Sequence, residues 1–179
     1  VYDIAMSVSA LNAPWRMEYI RSLGQEKNDG KCFLCEAASL ALPDDTELRR
    51  DRLVLWQTQW SVVVLNRYPY ANGHLLVAPR QHKADLTDLT TEESTDLILQ
   101  TARAVKLLRQ AVSAQGFNIG INLGRVAGAG VPGHLHQHVV PRWNGDINFM
   151  HAIGEVSVVP QANSQLYSEM TRLLAESGI

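Results

Sequence analysis

The run Gly133-His134-Leu135-His136-Gln137-His138-Val139-Val140-Pro141-Arg142-Trp143 carries three of the chain's six histidines at alternating positions. Side chains on a β-strand alternate between its two faces, so this spacing predicts a strand that projects His134, His136 and His138 from one face. Leu135, Gln137 and Val139 then face the other way. A strand needs neighbours, and the flanking sequence supplies them. Phe117 to Leu123 alternates Phe, Ile and Ile with Asn and Gly, which predicts a fourth strand, and the glycine-rich stretch Gly124 to Gly133 links it to the histidine strand, the fifth. Further upstream, Asp51 to Trp56, Ser61 to Arg67 and His74 to Ala78 are rich in Val and Leu and are separated by short turn-forming links, which predicts three consecutive antiparallel strands.

Between the third and fourth strands, Thr90-Thr91-Glu92-Glu93 resembles a capped helix start, and Leu97, Ala104, Leu107, Leu108 and Val112 recur at helical spacing. One long helix is expected from Thr91 to Gln115. Residues 14–23 predict a short helix with proline at its first position, Glu155 to Val159 at most a short strand, and Ala162 to Glu176 a C-terminal helix. Strands on both sides of a single long helix imply an α+β domain with a five-stranded antiparallel sheet. At 179 residues a single domain spanning 1–179 buries roughly 70% of its unfolded surface. The sequence shows no internal repeat, low-complexity segment or linker.

The balance of 16 basic against 18 acidic side chains gives a net charge of -2, which argues against a surface built for nucleic acid. A local site for a small phosphorylated ligand is compatible with that balance. No apolar run has the length needed to cross a bilayer, and Val1 to Asn12 lack the pattern of a secretion signal, so the expected compartment is the cytoplasm. The two cysteines, Cys32 and Cys35, form a C-x-x-C pair, which in a reducing compartment suggests metal binding or redox work more than a structural disulfide.

Imidazole serves nucleophilic, proton-transfer and metal-binding chemistry near neutral pH. Three readings of the histidines follow: packed side chains with satisfied hydrogen bonds, a metal cluster lacking nearby carboxylate ligands, or a nucleophile flanked by two assisting imidazoles. The loop Gly124-Arg125-Val126-Ala127-Gly128-Ala129-Gly130-Val131-Pro132-Gly133 reads either as a flexible connection or as a cradle whose N–H groups approach an anion. It is neither a Walker loop nor G-x-G-x-x-G.

Taken together, Gly-His-Leu-His-Gln-His-Val-Val-Pro, Asn122, the glycine loop, Leu65-Asn66-Arg67-Tyr68-Pro69, Gly73-His74-Leu75-Leu76-Val77-Ala78-Pro79 and His82 resemble the histidine triad superfamily of nucleotidyl hydrolases and transferases. The likeness covers roughly residues 32–145, and Val139 to Met150 is most similar to a bacterial branch related to diadenosine tetraphosphate phosphorylases. It implies a histidine triad fold, a homodimer at least, and nucleotidyl transfer from a dinucleoside polyphosphate to phosphate or water. His136 maps onto the nucleophile, His138 onto a phosphate contact, and His134 onto the first histidine of the triad. The same mapping places Asn66 and Asn122 beside the nucleotide and makes backbone N–H groups of Ala129, Gly130 and Val131 candidates for the phosphates, where relatives often carry Gly-Gln-Ser or Gly-Gln-Thr. It also implies a structural zinc held by Cys32, Cys35, His82 and His134, a donor set suited to a closed tetrahedral site. Trp143, Asp146, Asn148 and Phe149 are candidates for shaping the pocket. His74 and His151 are expected to be ordinary, and Trp15, Trp56 and Trp60 to be core or interface aromatics. The same machinery would serve hydrolysis of a nucleoside phosphoramidate, and a nucleotide-binding regulator is the remaining alternative.

Overall fold

The computed structural model describes residues 32–41, 46–146 and 161–178. Its elements are α1 (Phe33–Ser39), α2 (Thr46–Asp51), β1 (Val54–Gln57), β2 (Ser61–Leu65), β3 (Leu75–Pro79), α3 (Thr91–Ala111), β4 (Gly116–Ile121), β5 (Gln137–Arg142) and α4 (Asn163–Ser177). The five strands form one sheet in the order β1-β2-β3-β5-β4, and every neighbouring pair is antiparallel. The expected α+β architecture is present. The expected helix at 14–23, the strand at 155–159, Trp15, Asn148, Phe149 and His151 lie outside the described residues.

The two sheet faces bury different partners. Leu55, Val63, Leu65, Leu75, Val77 and Val139 pack with Leu97, Ala104, Leu107 and Leu108 of α3 and with Leu166, Tyr167 and Met170 of α4. The opposite face joins Val54, Val62, Val64, Leu76 and Ala78 to Leu34, Ala37 and Ala38 of α1. Because β2 and β3 are buried on both faces they read as unbroken apolar runs rather than alternating ones. Two short helices, α1 and α2, escape the sequence reading, since six or seven residues give periodicity too little length to register.

Thr90 caps α3 through a reciprocal capping box with Glu93, as its sequence implies. The helix ends at Ala111, earlier than the predicted Gln115, because Ser113 takes a left-handed conformation with φ of 50°. Trp56 is buried and Trp60 half-buried. The indole of Trp56 donates to Gln100 of α3 at 2.9 Å.

The main departure concerns the histidine run. β5 begins at Gln137, so the predicted strand holds His138 but neither His134 nor His136. Pairing between β3 and β5 runs only from Leu75↔Val139 to Val77↔Gln137. Beyond it lies Pro79, which has no N–H to offer a ladder. Residues 134–136 are instead held by other bonds: the His134 amide donates to Val131 O at 3.2 Å and the Leu135 amide to Lys83 O at 2.6 Å.

Candidate active site

His138 pairs with Leu76 on β3 and with Gly120 on β4, which places it on the α1 side of the sheet. His136 precedes it outside the ladder, yet the two rings lie edge to face with centroids 5.0 Å apart. His136 is buried, and its Nδ1 sits 2.8 Å from the carbonyl of His134. A carbonyl only accepts, so Nδ1 carries the proton and Nε2 keeps its lone pair. Burial pushes the His136 pKa below the ordinary histidine value and outweighs the opposing pull of that carbonyl. The ring is therefore neutral at physiological pH.

The tautomer of His138 is set by a residue expected to be ordinary. His74, fully buried at the start of β3, lies with its Nε2 3.0 Å from Nδ1 of His138. The backbone N–H of Tyr70 donates to Nδ1 of His74 at 3.1 Å. That makes Nδ1 an acceptor, so Nε2 of His74 holds the proton and donates to His138, whose own proton must then sit on Nε2. Nε2 of His138 lies 3.5 Å from Nδ2 of Asn122, a donor beside a donor, so the two do not bond each other and both can serve an anion. The ring of Tyr70 stacks on His74 with centroids 4.8 Å apart. Burial, followed by the neighbouring His138 and His136, lowers the His74 pKa to about 3.

His74 thus corrects the expectation from sequence. Its partners come from a turn and from a strand 64 residues away, so nothing beside it in the chain betrays its role. The one available signal is its place in the Gly73-His74 pair. Gly73 has φ of 82°, and a Cβ there would approach Leu108 Cδ2 to 2.9 Å, so only glycine fits the turn that delivers His74.

Asn66 reaches the same network. Its Oδ1 accepts the Tyr68 N–H at 3.0 Å, which orients its amide, and its Nδ2 donates to Nδ1 of His74 at 3.1 Å. The Ala129 amide donates within its own loop, to Gly124 O at 3.3 Å. Trp143 donates to Val112 O at 2.9 Å, and Asp146 binds the guanidinium of Arg142 with bonds of 2.5 and 3.0 Å. The bonds of both residues stabilise the turn after β5.

A second constellation adjoins the first through His134. Cys32, Cys35, His82 and His134 offer four donor atoms within 4.8 Å of one another. Sγ of Cys32 lies 3.3 Å from Nδ1 of His134, and Sγ of Cys35 lies 3.2 Å from Nδ1 of His82 and 3.4 Å from Nδ1 of His134. Metal–ligand lengths of about 2.0–2.3 Å in a tetrahedron imply ligand spacings of about 3.3–3.8 Å, and the three sulfur–nitrogen contacts, 3.2 to 3.4 Å, fall at the short end of that spacing. Nε2 of His134 donates to Pro79 O at 2.8 Å, the outer bond that frees the opposite nitrogen for a metal. Burial, then the adjacent Cys32 sulfur, push the Cys35 pKa up to about 11, and a dication would reverse that preference by supplying countercharge. The donor set and its spacing fit zinc.

This fold, with alternating histidines behind a glycine loop, matches the HIT domain family over residues 47–145, and the chain belongs to that family. It is 39% identical over 162 residues to an AP-4-A phosphorylase of Mycobacterium tuberculosis, covering 90% of this chain and 80% of that protein. A bis(5'-nucleosyl)-tetraphosphatase (asymmetrical) of Schizosaccharomyces pombe is 37% identical over 95 residues, covering 53% and 52% of the two chains. Among solved structures, a Zn-bound histidine triad family protein from Mycobacterium smegmatis superposes with a TM-score of 0.64 at 26% identity, covering 83% of this chain and 96% of that one.

Proposed function

We propose that the protein transfers a nucleotidyl group from a dinucleoside polyphosphate of the diadenosine tetraphosphate type through a nucleotidyl-His136 intermediate. The observation that carries this reading is the ordered set of tautomers: Nδ1 of His136 is spent on the His134 carbonyl, which leaves Nε2 as a neutral nucleophile. Nε2 attacks the α-phosphorus, a P–N bond forms, and the bond to the bridging oxygen breaks with its electron pair leaving on the nucleoside polyphosphate. His138, held by His74, presents Nε2–H to the same phosphate and stabilises its charge. Asn122 lies beside it. Anion contact from the loop falls to the amides of Gly130 and Val131, since that of Ala129 is bonded to Gly124. Water or inorganic phosphate then attacks the phosphorus, and the P–N bond electrons return to His136.

The similarity to an AP-4-A phosphorylase over most of the chain favours phosphate as the acceptor. Diadenosine tetraphosphate would then yield ATP and ADP, with ADP appearing only when phosphate is supplied. Release of AMP in its place identifies a hydrolase. Rapid quench in alkaline denaturant, which preserves a P–N bond, followed by intact mass should reveal a nucleotide adduct on the wild type and none on His136→Ala. Full turnover by that variant would sink the nucleophile assignment.

Cys32, Cys35, His82 and His134 would hold structural zinc, as the donor spacing supports. With all four positions taken by protein, these residues would leave a bound metal no place for water, and its role would be to pin α1 to the start of the histidine run. Cys32 and Cys35, which are not joined in a disulfide, suit a reducing, cytoplasmic setting. Homodimerisation is supported by β4, an edge strand of the sheet on which Ile119 is 47% exposed, an arrangement that a second copy would cover.

A further inference from the structure

Residues 134–136 carry the proposed nucleophile, yet they lie outside the strand ladder. Two bonds from the end of β3 and the segment that follows hold them: Pro79 O accepts Nε2–H of His134 at 2.8 Å, and Lys83 O accepts the Leu135 amide at 2.6 Å. Leu135 separates His134, whose carbonyl fixes the His136 tautomer, from His136 itself. Any slack in the segment 79–83 therefore reaches the nucleophile directly.

That segment has an anchor of its own. Nζ of Lys83 lies 2.5 Å from Oε2 of Glu93, whose side chain is 1% exposed. The same oxygen accepts the Thr90 amide at 2.8 Å and so also serves the cap of α3. Capping alone does not call for a charge, because glutamine fills the third helical position of a capping box equally well. A buried carboxylate is costly to desolvate unless it is paired with good geometry. Its charge is accounted for by the ammonium of Lys83.

We propose that Lys83 and Glu93 are positioning residues for the reaction: the ion pair fixes the Lys83 carbonyl against Leu135 and so holds His136 in register with His138. The pair lies on the α3 side of the chain and acts through the main chain rather than by touching substrate. The catalytic consequence rests on His136 being the nucleophile, whereas the placement of Leu135 does not.

Glu93→Gln tests this, since the amide oxygen keeps the Thr90 bond and removes only the charge facing Lys83. On the protein as isolated, hydrogen exchange of the Leu135 amide should quicken by about tenfold or more, and the ¹⁵N signals of His136 should shift from the Nδ1–H form toward a mixture of tautomers. With diadenosine tetraphosphate, kcat should fall by about tenfold while KM stays within about twofold, as expected when a reacting group is displaced by less than an ångström. Lys83→Met should behave alike, and the double variant should be no worse than the more impaired single one.

Unchanged Leu135 exchange and unchanged His136 signals in both variants would overturn the proposal even if stability drops. If the variants do not fold, the wild type decides: a Leu135 amide that exchanges as fast as exposed loop amides equally refutes it. Exchange and tautomer need no substrate, so absence of turnover in the wild type would count against the nucleotidyl-transfer reading alone.

Discussion

At the scale of single residues, the site works by assigning protons to particular nitrogens. The backbone N–H of Tyr70 leaves His74 only one nitrogen from which to donate, and that donation forces the proton of His138 to the far side of its ring. We expect His74→Phe, which deletes the donor, to lower kcat by about 10²-fold with little change in KM, by analogy with other sites where a lost partner leaves a histidine in the wrong tautomer. Steady-state kinetics on a folded variant check this. Burial lowers the pKa of His136, and the neutral form is the one the proposed attack requires. The acid limb of nucleotidyl-enzyme formation should therefore be centred below the ordinary histidine value of 6.5. Single-turnover rates between pH 4.5 and 8 on the approximate scale used for such profiles test the position of that acid limb. Stability follows the same sign. His74 folds with a pKa lowered from 6.5 to about 3, so the unfolded chain binds more protons between those values, and stability present above pH 6.5 is lost progressively as pH falls toward 3.

At the scale of elements, two backbone positions test how turns deliver the site. Ser113 sits at φ of 50° just past α3, a conformation that costs an L-residue about 1–2 kcal/mol and glycine nothing. Ser113→Gly should raise stability by about 1 kcal/mol, which for a chain of this size means a Tm higher by about 2–4 °C. Gly73→Ala should do the reverse, because φ of 82° and the contact with Leu108 leave no room for a methyl group. We expect that variant to lose about 1–3 kcal/mol in denaturant unfolding and to lose activity as His74 shifts. The elements also show how much the sequence revealed. The long helix and all five strands were legible because alternation, helical spacing and a capping box are local signals. The early end of α3 and the helices α1 and α2 were not, since a left-handed Ser113 and elements of six or seven residues leave little local trace.

At the scale of the whole molecule, the Cys–His cluster and the sheet edge link distant parts of the chain. Cys32 and Cys35 approach His134 across 102 and 99 residues, so a metal bound there would close a long loop and stabilise the fold. Treatment with a chelator should release about one zinc per chain, lower Tm by several degrees, and slow turnover through loss of order at His134, with activity restored by zinc. Equal Tm before and after metal removal would refute the structural role. Sedimentation should give twice the mass of one chain, and Ile119→Lys at the edge strand should shift the population toward monomer.

Spacing within short stretches of chain was enough for the class of fold, the five strands, the long capped helix and the family. The sequence also brought the histidine run, the C-x-x-C pair and His82 forward as the residues worth weighing. Only the tertiary structure decided that His134 and His136 leave the ladder while His138 stays on β5, since this depends on where pairing with β3 stops before Pro79. Only it placed His74 behind His138 and tied Lys83 to Glu93. Each of those depends on side chains from separate elements meeting in space, a pairing that no local spacing encodes.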